Sequence, residues 1–432
     1  LKKNLDKSTP TVIQAEVTAL AFTGKGIARH NGKVCFISGA LPGDLVEAVV
    51  TQDKKNYSEA QTRAILRPSA QRTAGQCRFL ASCGGCDWQQ LSYAEQLSWK
   101  KSFITDSLRR IGKISALPDF EVHGSPQLYH YRNRIQLKCK TGGSPELTVG
   151  YYENATNRLV PVTSCEIADP SINRFLQQLL ACDFTPVAAM NFSLEIKKVL
   201  SQTEDGGEVI VTIFKNEKKD TRLKKIISAL AGVAFCGYES EIDESAVFAD
   251  EIYRGITLFT GPLMFNQVNS LQNANMKDHL VALMDAVNPS SILDLCCGNG
   301  NLSVHLAGQG RKVTGIELNP KTVRCAQLSV QKHQLTDTHY LSMSADAFLK
   351  KTRGEKFDLV IVDPPRAGLH GEITFLAHQR PKHIAYVSCN PTTLARDLSV
   401  LADEGYQIDH LTGFDFFPHT YHVETVVTLV RS

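Results

Sequence analysis

From Gly261 onward, short apolar strands alternate with helical stretches, and this alternation constrains the fold more than any other feature of the chain. The strands read SILDL, KVTGIEL, FDLVIVD and HIAYVS, with helices expected from Asn301, over Pro320 to Gln334 and over Thr392 to Glu404. Strands that are apolar on both faces must be covered on both sides, which implies a parallel, doubly wound α/β sheet of Rossmann type. Two last strand-like runs, around Gln407 to Phe414 and Thr425 to Val430, lie too close together for a crossover helix. They are expected to form a terminal antiparallel hairpin.

The upstream sequence has a different rhythm. Between Thr11 and Arg67 the runs QAEVTAL, KVCFISGA, DLVEAVVT and EAQTRAIL alternate apolar and polar residues between Gly, Pro and Asn turns, the pattern of a compact OB-like β-barrel. Basic residues at Lys25, Arg29, His30, Lys33, Lys54 and Lys55 give it either an RNA-binding face or a solvated one. The middle is mixed α+β, with an amphipathic helix over Tyr93 to Arg110, strands such as RIQLKCK and EVIVTIF, and a helix near Ser171 to Leu180. Three domains follow: 10–68, 69–260 and 261–432.

With 43% hydrophobic and 21% charged residues the chain fits neither a disordered nor a fibrous class. It holds no apolar run long enough to span a bilayer and no signal-peptide core, so no membrane association and a cytoplasmic location are expected. The first residue is Leu1 rather than Met, so a short leader is expected ahead of it. A net charge of +3 permits nucleic-acid binding without requiring it.

The run LDLCCGNGN ends a strand and turns on Gly298 and Gly300, where the backbone can approach a ligand closely. The next strand ends in Glu317, placed to accept two ribose hydroxyls, and Asp346 is expected at a third strand end, facing an adenine amino group. NAD is the rival ligand. The loop lacks the third glycine of the dinucleotide fingerprint, and its leading Asp294 favours S-adenosylmethionine.

Two more strand ends carry Asp363-Pro364-Pro365-Arg366 and Ser388-Cys389-Asn390-Pro391, and ligands of open α/β sheets bind at the carboxyl ends of strands. C5 of uracil is too poor a nucleophile to attack a methyl donor unless a thiolate first adds to C6, and Cys389 is the candidate thiolate. Removing the C5 proton afterwards needs a base: Glu424 in FPHTYHVET, with His419 and His422 as rivals. Asp363 would accept the N3–H of uracil, or else cap a helix or pair with Arg366.

Twelve cysteines in a reducing compartment are read for metal ligation before disulfides. Cys77-x5-Cys83-Gly-Gly-Cys86 places three thiols on one glycine-rich loop, suited to zinc or an iron–sulfur cluster, with Cys165 the best distant fourth ligand. Cys139, Cys182 and Cys236 lie in regular runs and are weaker candidates. The CxxxCxxC triplet of radical enzymes is absent.

These motifs together make the chain resemble the 5-methyluridine RNA methyltransferases, specifically the iron–sulfur-containing 23S rRNA (uracil-5-)-methyltransferases with a TRAM domain. The resemblance runs through FTGKGIARHNGKVCFISGALPGD, CRFLASCGGC, FNQVN, LDLCCGNGN, DPPR, SCNPTTLARD and FPHTYHVE. It implies a [4Fe-4S] cluster on Cys77, Cys83, Cys86 and Cys165, and cofactor contacts from Gln267, Cys296, Asn301, Glu317, Asp346 and Asp363. It also implies Cys389 as nucleophile, Glu424 as base, and Phe265 near the target base. Cys296 departs from an aromatic in a relative, at a position where a backbone contact is expected.

In YHYRNRIQ, Arg132 and Arg134 alternate with Tyr129 and Tyr131, as RNA contacts or as one solvated and one buried face. A cytosine-C5 enzyme would carry Cys where Arg366 stands after Asp-Pro-Pro. An adenine-amino enzyme would leave Cys389 and Glu424 unexplained, and a noncatalytic assembly protein would not need them. The expected partner is RNA, with 23S rRNA ahead of tRNA, and the expected state is a monomer.

Overall fold

The computed structural model describes residues 11–431 except 143, 155, 202–206, 216–217, 244, 309 and 353–354. The domain start at residue 10 lies outside them. All counts of strands and helices refer to the described residues.

The first unit is a six-stranded sheet, β1 (Val12–Glu16), β2 (Ala19–Leu20), β3 (Gly26–His30), β4 (Lys33–Ser38), β5 (Leu45–Asp53) and β6 (Tyr57–Arg67), in the order β1-β5-β6-β4-β3-β2. Alternate residues turn inward, so Ile13, Ala15, Cys35, Ile37, Val46 and Ala48 form one small core. Buried Asp44 accepts from Leu41 N and Ser69 N and from two nitrogens of Arg72, fastening this unit to the chain that follows.

Next come α1 (Tyr93–Arg110) and β7 (Val122–His123), then β8 (Arg134–Thr141), β9 (Leu147–Tyr152), β10 (Leu159–Pro161) and α2 (Pro170–Leu180). The middle unit continues with β11 (Met190–Leu200), β12 (Glu208–Lys215), α3 (Thr221–Ser228), β13 (Val233–Tyr238), β14 (Phe248–Tyr253) and β15 (Ile256–Thr260). β8 to β15 make the middle sheet, ordered β10-β9-β8-β11-β12-β13 with β14 and β15 added beside β11. Leu137, Leu194, Ile196 and Phe214 pack under Phe175 and Leu176 of α2 and Leu223 and Ile227 of α3.

The last unit holds α4 (Ser270–Val287), β16 (Ser291–Leu295), β17 (Lys312–Glu317), α5 (Pro320–Lys332), β18 (Thr338–Ser342), α6 (Ala345–Lys351) and β19 (Leu359–Val362). α7 (Glu372–Gln379), β20 (His383–Ser388), α8 (Pro391–Asp403), β21 (Tyr406–Phe414) and β22 (Glu424–Arg431) complete it. The sheet order is β18-β17-β16-β19-β20-β22-β21-β7, parallel from β18 to β20, with β22 antiparallel to both β20 and β21. The terminal hairpin expected from the short connection is therefore present.

One sequence expectation needs correction, and the packing of the helix Tyr93–Arg110, for which the sequence leaves either flanking domain open, is a second point. The turn at Gly298 and Gly300 does not open an α-helix at Asn301; only a 3-10 turn, Val304–Leu306, follows. The side chains there bond to distant elements, Asn299 to Phe259 O, Asn301 to Asn273 and Ser303 to Tyr340, and a bridge between Gly308 and Arg311 ends the segment. Second, α1 and β7 come from the middle of the chain but are built onto the C-terminal sheet. β7 pairs with β21, and α1 packs on α8, sending Ile104 and Leu108 into one core with Leu394 and Leu398. The buried positions of α1, Gln96, Lys100, Phe103, Ile104, Ser107 and Leu108, follow the helical period along one stripe. No helix among the described residues is long and apolar enough to cross a membrane.

Candidate active site and cysteine cavity

Strand order reverses between β16 and β19, and a crevice of about 780 Å³ opens at that switch point. Gln267, Cys296, Gly298, Asn301 and Glu317 line it together with Asp363, Arg366, Cys389 and Glu424. The sheet itself explains the meeting of Cys389 and Glu424. β22 runs antiparallel to β20 with Thr425 opposite Ser388, so Cys389, which follows the last residue of β20, and Glu424, the first residue of β22, are neighbours at the crevice. A parallel last strand would have carried Glu424 to the opposite end.

α8 begins immediately after the cysteine. Asn390 caps it by accepting from Thr392 N at 3.1 Å, Pro391 occupies the first turn, and Leu394, Leu398 and Leu401 bury one face. That cap contributes about 1 kcal/mol to the helix start.

The electrostatics are set by burial, with Arg366 as the cation acting on Cys389 and Glu424. Burial pushes the Cys389 thiol up to about 12, the charges of Glu424 and Asp363 add to this, and Arg366 opposes it. Burial and the Asp363 charge raise Glu424 well above the usual carboxylate range, again opposed by Arg366. Asp363 is raised to about 7 by burial, and Asp294, behind the glycine turn, to about 8 by burial and then by Asp363 and Glu317. His419 and His422 are both lowered to about 4, chiefly by burial. A histidine lowered to about 4 is a weaker base than a carboxylate raised well above its usual range, and neither histidine lines the crevice, so Glu424 is the strongest base of the three.

On the cofactor side, Glu317 accepts from Gly298 N at 3.2 Å and from Asn319 N at 2.9 Å, which orients its carboxylate at the glycine turn. Asn301 exchanges reciprocal amide bonds with Asn273 of α4 at 2.9 and 3.0 Å. Cys296 stands in the left-handed region at φ 61° and turns the backbone into the crevice. Asp346 is not at a strand end: it lies in the first turn of α6, is bonded to Lys350 at 2.8 Å, and leaves the crevice wall to Ser344 and Ala345.

The four cysteines Cys77, Cys83, Cys86 and Cys165 line a single cavity of about 240 Å³. Gly84 makes the loop possible, because a Cβ there would stand 2.9 Å from Asn154 N and 3.0 Å from Tyr152 O. Gln89 accepts from Cys77 N at 3.1 Å, and Asn173 of α2 accepts from Cys165 N at 2.9 Å. Burial raises the thiols of Cys77, Cys83 and Cys86, the last to about 12. Among the described residues no group of three or more His, Cys, Asp or Glu side chains is arranged to hold a single metal ion. Cys139, Cys182 and Cys236 lie away from this cavity.

The YHYRNR segment is neither a two-faced strand nor a surface arm. Arg132 bridges Ala168 and Asn269 through its backbone, and its side chain lines the cysteine cavity with a buried Nε. Tyr131 is buried and its hydroxyl donates to Pro418 O at 3.2 Å. Arg134 donates to Met264 O at 3.3 Å and lies 5.7 Å from the ring of Phe265, which is 66% exposed at the crevice mouth. Sequence reasoning missed Gln96, Asp250 and Asp397, all buried or crevice-lining polar groups. For Gln96 the available signal was an amide on the apolar stripe of α1.

A doubly wound sheet with a crevice at its switch point, lined by the glycine turn, a strand-end cysteine and a buried carboxylate, is the fold of an α/β methyltransferase. The family described as tRNA (Uracil-5-)-methyltransferase matches residues 260–432, and the TRAM domain family matches residues 10–62. A 23S rRNA (uracil(1939)-C(5))-methyltransferase RlmD from Legionella pneumophila (strain Lens) is 30% identical, covering 99% of this chain and 99% of that protein. Another from Enterobacter sp. (strain 638) is 31% identical, covering 97% and 96%. The crystal structure of Pyrococcus abyssi tRNA (uracil-54, C5)-methyltransferase with S-adenosyl-L-homocysteine superposes with a TM-score of 0.71 at 25% identity, covering 97% of this chain and 100% of that one. The chain belongs to the RNA (uracil-5-)-methyltransferase family and is an enzyme of that class.

Proposed function

We propose that this enzyme methylates C5 of one uridine in 23S rRNA, using Cys389 as nucleophile and Glu424 as base. The observation that carries the reading is the Ser388 to Thr425 register, which brings these two side chains to one crevice wall. S-adenosylmethionine, when bound, supplies a methyl group on a sulfonium. Gln267, Cys296, Asn301 and Glu317 would hold it, since they form the wall at the glycine turn.

The chain's own part runs as follows. Arg366 favours the ionised form of Cys389, the thiolate adds to C6 of uracil, and negative charge passes to C5 and O4. Asp363 faces the same space and would accept the uracil N3–H when ionised. Once C5 carries the methyl group, Glu424 takes the C5 proton; the electron pair reforms the C5–C6 double bond and the C6–S bond breaks, returning the thiolate. Release of tritium from RNA labelled at C5 of uridine tests this directly, and no release with wild-type enzyme would sink it. The 23S rRNA assignment rests on the relatives of matching length; the full-length likeness to a tRNA enzyme supports tRNA as the second reading. Mapping 5-methyluridine in both RNAs from a deletion strain decides between them.

The cysteine quartet is proposed to carry a [4Fe-4S] cluster. The donor set is all thiolate on the loop and at Cys165. A cavity of about 240 Å³ is far larger than one ion held by sulfur at about 2.3 Å would leave.

A further inference from the structure

His419 lies in the left-handed region at φ 69°, in the loop between β21 and Glu424. A residue other than glycine holds that conformation only where its surroundings over-determine it. Both of its backbone groups are held. Its N–H donates to Gln96 Oε1 at 2.8 Å, and its carbonyl accepts from Trp88 N at 2.9 Å. The other end of the same amide, Gln96 Nε2, donates to Trp88 O at 3.0 Å and Leu91 O at 2.9 Å. Gln96 is 1% exposed and Trp88 fully buried, so water cannot replace these bonds.

The start of the loop is fastened to the same helix. Lys100 of α1 donates to Asp415 and to Phe417 O, and Asp415 accepts from Phe417 N at 3.0 Å. The kink at His419 therefore sits between two attachments to α1 and the first residue of β22. Its direction decides where the chain enters the sheet at Glu424.

We propose that Gln96 is a positioning residue for Glu424: by clamping His419 in its left-handed turn it sets the carboxylate beside Cys389. This rests on the base role given to Glu424 above. The base acts after methyl transfer, so a displaced base leaves methylated RNA joined to Cys389 through the C6–S bond, whereas a general loss of fold lowers adduct and product together.

The test is a denaturing gel of enzyme, uridine-containing rRNA transcript and methyl-labelled cofactor. Glu424→Gln is expected to accumulate labelled adduct. Gln96→Leu, which keeps the side-chain bulk and removes the amide's hydrogen bonds to His419, Trp88 and Leu91, is expected to accumulate it about tenfold over wild type, with kcat about tenfold lower and KM for RNA little changed. Gln96→Glu keeps the oxygen that His419 N needs and is expected to lie between Gln96→Leu and wild type; it decides the matter if Gln96→Leu fails to fold. Iron content equal to wild type excludes an effect relayed through the nearby cysteine loop. If Glu424→Gln gives no adduct, the base assignment falls. If Glu424→Gln gives adduct and neither folded Gln96 variant does, the positioning role falls.

Discussion

The side-chain amide of Asn390 donates to the carbonyl of Arg366 at 3.1 Å, and Thr393 Oγ1 donates to the same oxygen at 3.1 Å. The turn after the nucleophile and the Asp-Pro-Pro-Arg loop are thus one rigid piece. Arg396 Nη2 extends it by donating to Ala367 O at 2.9 Å, and Asp397 accepts from Leu369 N at 2.8 Å and from the Tyr386 hydroxyl at 2.6 Å. The approach is so close that a Cβ on Gly368, at φ 77°, would stand 2.5 Å from Arg396 Nη2 and 2.6 Å from Asp397 Oδ2.

This rigidity matters because Arg366 is the cation that opposes the burial and acidic neighbours raising Cys389. Arg366→Met should leave the thiol harder to ionise. Alkylation of Cys389 by iodoacetamide at pH 8 is expected to slow by about tenfold, one pH unit of thiolate population. Unchanged labelling, followed by mass spectrometry, would remove Arg366 from thiolate stabilisation.

Much of this site was legible in the sequence, for a local reason: LDLCCGNGN, DPPR and SCNP are strand ends, and strand ends of a parallel sheet converge. Glu424 was legible because the hairpin reverses direction at FPHTYHVE. The failures are equally physical. Asp346 was assigned by counting strand ends, but its strand closed at Ser342 and the acid became the first turn of α6. For Arg132 and Arg134 the sequence leaves RNA contact and a two-faced strand both open, because their segment is held by partners more than 100 residues away, such as Met264 and Pro418. No local pattern announces contacts of that range, and the clamp on His419 by Gln96 is of the same kind.

Proton release should accompany cofactor binding. Asp363 is raised to about 7, so near pH 7 it is partly protonated in the free enzyme, and burial and the Asp363 charge raise Glu424 well above the usual carboxylate range as well. A sulfonium entering the crevice favours their ionised forms, lowers both values and expels protons. Affinity for S-adenosylmethionine is therefore expected to rise with pH up to about 7 to 8 and then level off. Titration calorimetry in two buffers of different ionisation enthalpy measures the release directly. S-adenosylhomocysteine, which lacks the sulfonium charge, should release fewer protons, and equal release from both would contradict the account.

Phe265 is 66% exposed at the crevice mouth and is backed by Arg134 at 5.7 Å. An aromatic face left in solvent beside a base-binding site suits stacking on an unpaired nucleotide, an interaction of about 1–3 kcal/mol. Phe265→Ala should raise KM for RNA by about tenfold or more while leaving the dissociation constant for the cofactor within about twofold. A matching loss of cofactor affinity, read by calorimetry, would place the ring with the cofactor wall instead.

Removing one ligand of the cysteine quartet should be felt well beyond its cavity. Burial already disfavours the thiolates of Cys77, Cys83 and Cys86, so without a cation the loop would keep neutral thiols around an unfilled space. Cys165 joins the loop to the strand-like segment that Arg132 bridges to Asn269, next to Gln267. Cys165→Ser, prepared anaerobically, is expected to lose most of its iron and sulfide and to unfold at lower temperature than wild type. Hydrogen exchange in residues 77–91 should rise, and exchange near His419 should follow, because Trp88 N is bonded to its carbonyl. Wild-type protein that holds one zinc ion and no sulfide would overturn the cluster. A Cys165→Ser protein that keeps full iron and sulfide would show that the fourth ligand lies elsewhere.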